Sequence, residues 1–142
     1  MALWSLGNYV KAEPLYLKAL EIKKKVLGEE HADTAVTYHD LAVLYRVLGN
    51  YAKAEPLYLK ALEIRKKVLG EEHAGTAQSY YDLGSLYMSL GNYAKAEPLY
   101  LKALDIRKKI LGDEHPDTAQ SYNGLGWLYG PSATTSRRSP YI

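Results

Sequence analysis

The chain repeats nearly the same sequence at a fixed interval. Segments that begin Gly-Asn-Tyr start at Gly7, Gly49 and Gly91, which stand 42 residues apart. A period of this length is typical of proteins built from stacked supersecondary units, each of which buries its apolar face only against its neighbours. The repeat therefore predicts an array of units in place of a single globular core.

The first part of each repeat predicts a helix, which we name helix B. From Tyr9 to about Leu27 the apolar residues recur at helical spacing and form one wide apolar face. Asn8 is expected to cap the start of this helix through its side-chain oxygen, and Gly28 is expected to end it in the left-handed conformation. The same pair recurs in the other copies, as Asn50 with Gly70 and Asn92 with Gly112.

The second part of each repeat predicts another helix, helix A. A short polar connection precedes it, and Asp33 or Thr34 of this connection is expected to cap the helix. Gly49-Asn50 then turns the chain back, so that helices A and B form an antiparallel pair. We therefore expect an all-α fold, an α-solenoid of antiparallel helix pairs. The apolar stripe of the first helix A consists of Ala35, Tyr38, Leu41, Ala42, Tyr45 and Leu48.

The repeats fill most of the chain but begin and stop inside a unit. Residues 1–30 form a partial unit, residues 31–72 and 73–114 form complete units, and residues 115–130 form a second partial unit. Residues 131–142 show no periodicity, and we expect them to be a disordered tail.

Several short motifs recur with the period. One pair of them reads Tyr80-x2-Leu83-Gly84-x2-Tyr87 and Ala96-x3-Tyr100. This pair resembles the tetratricopeptide pattern, with Tyr where Trp and Phe are usual. The 42-residue period, with Ala-Glu-Pro-Leu-Tyr and Leu-Gly-x-x-His, is similar to the kinesin light chain type of that repeat. The resemblance covers residues 1–130.

This resemblance implies a right-handed superhelix without catalytic activity. It also implies a concave groove, lined by the A helices, that binds short and often extended peptides. The family often carries paired Asn residues in helix A, just before its Leu-Ala or Leu-Gly. This chain departs from that pattern, and at those positions it has His39-Asp40, Tyr81-Asp82 and Asn123-Gly124.

Differences between the repeats concentrate on one face of helix A. The units that start at Gly7 and Gly49 differ at ten positions, and seven of these lie in helix A. Most of them are spaced three or four residues apart, which gathers them on one side of a helix. We hypothesise that this variable face lines a peptide-binding groove. The candidate groove residues are Val36, His39, Asp40, Val43, Arg46, Val47, Gln78, Tyr81, Asp82, Ser85, Met88, Ser89, Gln120, Asn123 and Trp127.

The alternative is that the variable face is merely solvated and free to drift. A stripe that includes Val43, Met88 and Trp127 is more apolar than drift on a wet face usually produces. We therefore expect apolar anchors in the groove, Tyr81, Met88 and Trp127, together with charged anchors, Arg46, Asp40 and Asp82.

Other chemistries are weaker interpretations of the sequence. His31, His73 and His115 recur once per unit, too far apart for one metal ion, and we interpret them as loop or capping residues. The Lys-rich ends of the B helices could form a basic edge, but nucleic acid is an unlikely partner for a chain with a net charge of +2. No catalytic constellation stands out. We expect no enzyme activity, no cofactor and no metal, and a protein or peptide segment as the partner.

Two further expectations concern assembly and location. The partial units leave faces such as Tyr122, Leu125 and Tyr129 uncovered, so that copies could pair head to tail into a homo-oligomer through uncapped terminal helices. The chain has no Cys residues and no apolar stretch long enough to enter a membrane. We therefore expect a soluble, cytoplasmic protein.

Overall fold

The structure of the protein is a computed structural model, and it describes residues 6–130. These residues form six α-helices and no strand, which confirms the predicted all-α fold and the alternation of B and A helices. Residues 1–5 and the predicted tail at 131–142 lie outside the described part. The helices are α1 (Leu6–Val26), α2 (Ala32–Val47), α3 (Tyr51–Leu69), α4 (Ala74–Ser89), α5 (Tyr93–Leu111) and α6 (Pro116–Tyr129).

The helices divide into two compact units, which meet at Gly70 and Glu71 in the sequence. In the first unit α2 packs against α1 and α3, and in the second unit α5 packs against α4 and α6. Two kinds of helix joint therefore occur. The joint between helix A and the helix B that follows it, α2 with α3 or α4 with α5, is more extensive than the joint between helix B and the next helix A.

Asparagine caps two of the B helices as predicted. Asn50 accepts a hydrogen bond from the backbone N–H of Lys53 at 3.3 Å, and Asn92 makes the equivalent bond in the next copy. The prediction for Asn8 was wrong, because α1 begins at Leu6 and runs through Asn8. The turn before Asn50 uses the carbonyls of the preceding helix A, and the equivalent carbonyls before Asn8 belong to residues outside the described part.

Histidine, and not Asp or Thr, caps the A helices. The Nδ1 atoms of His31, His73 and His115 accept hydrogen bonds from the backbone N–H two residues later, at 2.9 to 3.0 Å. Each satisfies one of the donors that a helix start leaves without a partner. The predicted capping role of these histidines is therefore confirmed, and the prediction for Asp33 and Thr34 was wrong, since both lie inside α2.

Thr34 and Thr118, three residues after the capping histidines, connect two helices by a hydrogen bond. The hydroxyl of Thr34 donates to the carbonyl of Gly28 at 2.8 Å, and Thr118 makes the same bond to Gly112. Gly28 has a φ of 94°, the left-handed conformation predicted for the end of helix B. The bond joins the end of one helix to the start of the next.

The buried face of helix A matches most of the predicted stripe. Leu48 is only half-buried, and Leu44 is buried although it lies outside the prediction. A stripe drawn at strict helical spacing is narrower than the face that two neighbouring helices cover. The correctly predicted members of the stripe are Ala35, Tyr38, Leu41, Ala42 and Tyr45.

Tyrosine hydroxyls fasten the connection between the helices. Tyr38 donates to Glu29, and Tyr80 donates to Glu71, at equivalent positions of two repeats. Burial, and then the bond to the carboxylate, raises the pKa of both tyrosines well above the ordinary value. The same bond lowers the pKa of Glu29. The absence of Phe from the chain thus has a structural counterpart, because these rings use their hydroxyls.

Candidate binding site

The candidate groove residues of the first unit lie on a partly open surface of α2. Val36 and Val47 are exposed, while His39, Asp40, Val43 and Arg46 are half-buried. The ring of His39 meets the edge of Tyr58 from α3, with ring centroids 5.9 Å apart.

The candidates of the second unit are distributed less evenly. Trp127 is the most exposed large apolar side chain of α6, at 63% of its surface, and Gln120 and Asn123 of the same helix are also exposed. On α4, Ser89 is exposed. The half-buried candidates of α4 are Gln78, Tyr81, Ser85 and Met88.

Asp82 does not lie on an open surface. It is buried, and it accepts a hydrogen bond from Nε2 of Gln78 at 2.8 Å. Its carboxylate is bonded within α4 and is not open to a ligand, so its burial argues against the predicted role of a charged anchor.

Residues of α4, α5 and α6 line a pocket of about 320 Å³ that is open to solvent. Its walls bring together four predicted residues, Tyr81, Met88, Ser89 and Trp127, and three that sequence reasoning missed. The missed residues are Tyr93, Tyr100 and Gly124.

Each missed residue has a physical reason. Tyr93 and Tyr100 belong to helix B and are identical in every copy, so a search for differences between repeats could not find them. Gly124 stands where Asp40 and Asp82 stand in the other repeats. That change of a carboxylate to a glycine was a visible signal, because it removes a side chain from the floor of the pocket.

Aromatic packing holds Tyr81 in place. Its ring lies 5.1 Å from the ring of Tyr100, at a tilt of 38°, and the guanidinium of Arg107 lies 5.1 Å from its ring centre. The hydroxyls of Tyr100 and Ser85 are 3.0 Å apart and form a hydrogen bond. A side chain added at Gly124 would meet the Tyr81 ring at 3.1 Å and the Tyr100 ring at 3.2 Å. Glycine at this position therefore lets the two rings sit against α6.

Arg107 supports the site from inside the second unit. Its guanidinium donates to Ser121 Oγ at 2.9 Å, to Gln120 Oε1 at 3.1 Å and to the Asp117 carbonyl at 3.1 Å. A further bond reaches Gln78 Oε1 at 3.3 Å. Burial lowers the pKa of Arg107, although nearby carboxylates oppose the shift. The residue links α5 to both neighbouring A helices.

The predicted basic edge is smaller than expected. Arg65 and Arg107 are buried, so neither belongs to a solvated edge, whereas Lys66 and Lys108 beside them are exposed. Successive residues of a helix point about 100° apart, and the arginine that precedes two lysines in α3 and α5 therefore faces inward.

The lining of the pocket is mainly aromatic, with a tryptophan and three tyrosines beside Met88. Its lining contains no charged residue. Among residues 6–130, no group of three or more His, Cys, Asp or Glu residues could hold a metal ion. None of the six described helices is long and apolar enough to cross a membrane.

Comparisons with known proteins agree with the geometry. The tetratricopeptide repeat family model matches residues 1–48, 38–89 and 80–130. The crystal structure of BtubC (BKLC) from P. vanneervenii is similar with a TM-score of 0.81 and 31% identity, over 93% of this chain and 52% of that one. A putative kinesin light chain of Podosopora anserina with nearly identical repeats gives a TM-score of 0.80 and 28% identity, over 92% of this chain and 61% of that one.

The chain thus spans about half to three fifths of the length of these two solved structures. A search of the curated proteins found no match. The family model covers all six helices, and both solved structures share the helical-repeat solenoid fold. The chain therefore belongs to the tetratricopeptide repeat family.

Proposed function

We propose that this chain is a non-enzymatic interaction module that binds a segment of another protein along the variable face of its A helices. Tetratricopeptide repeats generally mediate contacts between proteins. The observation that carries the proposal is the pocket among α4, α5 and α6, where the exposed Trp127 stands beside Tyr81 and Met88.

The chemistry of this pocket favours an apolar side chain of the partner. Three tyrosines, a tryptophan and a methionine line it, and no charged group does. Aromatic residues supply large contact areas at little cost in conformational entropy, and they dominate the energetic centres of protein interfaces. Methionine adapts its shape to the group that enters.

The variable face of the first unit is more polar than the pocket of the second unit. This variable face carries Asp40 and Arg46 beside the exposed Val36 and Val47. We assign the anchoring side chain of the partner to the pocket in the second unit.

Selection of peptides from a displayed library, with the full chain as bait, tests this function. A selected peptide is labelled, and its affinity is measured by fluorescence anisotropy against the wild-type chain, Tyr81→Ala and Trp127→Ala. We expect each variant to bind at least about tenfold more weakly, which corresponds to about 1.4 kcal/mol.

Tyr122→Ala is the matched control for this experiment. Tyr122 is an exposed aromatic residue of the same helix as Trp127, at 47% of its surface, but it does not line the pocket. We expect it to leave the affinity unchanged. Equal affinities for all four chains would show that the pocket does not bind the peptide.

A further inference from the structure

We propose that copies of this chain join head to tail, with α6 of one copy packed against α1 of the next in the way that α4 packs against α5. The occupant of both surfaces is thus a second copy of the same chain. The joint and the pocket both involve Trp127, because Trp127 is the copy of Ser85, whose Oγ lies 3.0 Å from the Tyr100 hydroxyl between α4 and α5. The charged residues of the proposed joint lie outside the pocket, so that separate variants test the two proposals.

The joint between a helix A and the following helix B has a repeated set of charge pairs. In the first unit, Lys60 lies 3.6 Å from Glu29, and Lys67 lies 3.3 Å from Glu30. The second unit repeats both pairs, Lys102 with Glu71 at 3.7 Å and Lys109 with Glu72 at 3.8 Å. These pairs align the connection before helix A with the outer side of helix B.

The same groups are present on α1 and α6, for which residues 6–130 contain no preceding helix A and no following helix B, respectively. Asp113 and Glu114 precede α6 at the positions of Glu29 and Glu30, and α1 carries Lys18 and Lys25 at the positions of Lys60 and Lys67. All four residues are exposed. The acidic pair before α6 is thus complementary to the basic pair on α1. The copies of this pairing inside the chain fix which lysine meets which carboxylate.

Apolar side chains of α1 are open where their copies are covered. Ile22 exposes 48% of its surface, whereas Ile64 and Ile106, its copies in α3 and α5, are fully buried. Leu15 of α1 exposes 72%. Because the helices have nearly the same sequence, the difference in exposure comes from the side chains that are packed around each isoleucine and not from the helix itself.

The complementary face of α6 is open in the same way. Tyr122 exposes 47% of its surface, while its copies Tyr38 and Tyr80 expose 7% and 8%. Exposed apolar surface of this kind, on a face that the other copies bury, is typical of an interaction surface.

The space beside two equivalent glycines, Gly84 and Gly126, shows how closely the second copy would approach α6. A side chain added at Gly84 of α4 would come within 2.9 Å of the Tyr100 ring and 3.4 Å of Leu99 Cβ, both in α5. Gly126 is the copy of Gly84 in α6, and nothing lies within 4 Å of the same position there. The copies of Leu99 and Tyr100 in α1 are Leu15 and Tyr16. We therefore place the Tyr16 ring of the second copy against Gly126.

This contact does not close on itself, since α6 and α1 are different surfaces. Heterologous contacts of this kind extend into open chains unless a rotation closes them into a ring. One pair of helices makes a small interface, near the lower limit of about 1,200 Å² for stable complexes. We therefore expect the mean mass to rise with protein concentration.

Light scattering and sedimentation velocity over a wide concentration series test the proposal on the full chain. One variant carries Lys18→Glu with Lys25→Glu, and a second carries Asp113→Lys with Glu114→Lys. We expect each variant alone to lose the rise in mass, because like charges then face each other. An equal mixture of the two should regain it, because opposite charges then meet at both kinds of contact.

A charge-matched control is Lys66→Glu with Lys108→Glu. It changes the net charge by the same amount at exposed positions outside the joint, and it should associate like the wild type. A wild-type chain that stays monomeric throughout the series would overturn the proposal. So would a Lys18→Glu, Lys25→Glu variant that associates as strongly as the wild type.

Gly126→Gln tests the packing without changing charge. The position is open, and glutamine is a better helix former than glycine, so the variant should fold. Its side chain would occupy the place of the Tyr16 ring, and we expect the rise in mass to be lost. Unchanged association of this variant would also count against the proposed joint.

Discussion

Two glycines of α6, Gly124 and Gly126, stand two residues apart in different surroundings. An added side chain at Gly124 would meet the rings of Tyr81 and Tyr100 at 3.1 to 3.2 Å, and one at Gly126 would meet nothing within 4 Å. Alanine stabilises a helix interior by about 1 kcal/mol relative to glycine. We therefore expect Gly126→Ala to raise the free energy of unfolding by about 1 kcal/mol, as measured by urea denaturation at low protein concentration.

The matched variant, Gly124→Ala, should show no such gain, because crowding of the two rings offsets the improved helix propensity. It should also weaken a peptide held in the pocket, since the added methyl group narrows the floor. A full gain in stability for Gly124→Ala would show that the tyrosine rings move aside freely. The role that we assign to this glycine would then be wrong.

The raised pKa of Tyr45 predicts that the stability of the protein falls at alkaline pH. Its hydroxyl donates to Glu13, and burial together with this bond raises the pKa of Tyr45 to about 12. A raised pKa in the folded state means that the contribution to stability is complete below the unfolded value of 10 and is lost as the pH rises towards 12. The free energy of unfolding should therefore fall across this range.

Urea denaturation at a series of pH values measures this slope, and tyrosinate absorbance reports the ionisation. In Tyr45→Phe the slope should be shallower, because one tyrosine no longer changes its pKa on unfolding. Other tyrosines, including Tyr38 and Tyr80, still contribute. Equal slopes for the wild type and Tyr45→Phe would contradict the assignment.

At the scale of the helix, one side chain connects α5 to its two neighbours. Arg107 donates to Gln78 of α4 and to Ser121 of α6 from a buried position. Its counterpart in the first repeat is Lys23, whose Nζ reaches the carbonyl of Asp33 at 3.4 Å. Lysine can therefore replace one bond of the arginine network, but it lacks the planar fork that reaches both helices.

We expect Arg107→Lys to lower the free energy of unfolding by about 2 kcal/mol, because the single ammonium group cannot reach the acceptors on both α4 and α6, and the buried hydroxyl of Ser121 loses its donor. Urea denaturation measures the loss. Lys108→Ala, at the exposed neighbouring position, should change stability by no more than about 0.5 kcal/mol. A similar small effect for Arg107→Lys would show that the guanidinium contacts add little to the joining of the three helices.

For the whole molecule, salt separates the two proposals. The joint between copies depends on lysine and carboxylate side chains that are exposed before association. The Debye length falls from about 10 Å at 0.1 M salt to about 3 Å at 1 M, so such pairs are screened. We expect the mean mass at a fixed protein concentration to fall as sodium chloride is added, as measured by light scattering.

Peptide binding at the pocket should respond much less to salt, because no charged residue lines it. The anisotropy measurement in the same salt series is therefore the control. A mean mass that does not change with salt would show that the charge pairs do not contribute to association.

Much of the fold was predictable because its signals are local. Helical spacing, a glycine after each helix B and an asparagine before two of them depend on a few neighbouring residues. The pattern of differences between repeats also led to four residues of the pocket. The histidine caps were only partly predicted, because Asp and Thr stand closer to the usual capping preference.

The sequence by itself determined the helices, their alternating order and the family of the repeat. The reason is that the same helix-forming and helix-ending residues recur every 42 residues. Only the tertiary structure decided what each copy touches. Ile22 and Ile64 have the same identity and helix position, yet one is exposed and the other is buried. Arg107 turns inward, and Tyr100 enters the pocket. Burial depends on the neighbours that a side chain meets in space, and identical segments have different neighbours.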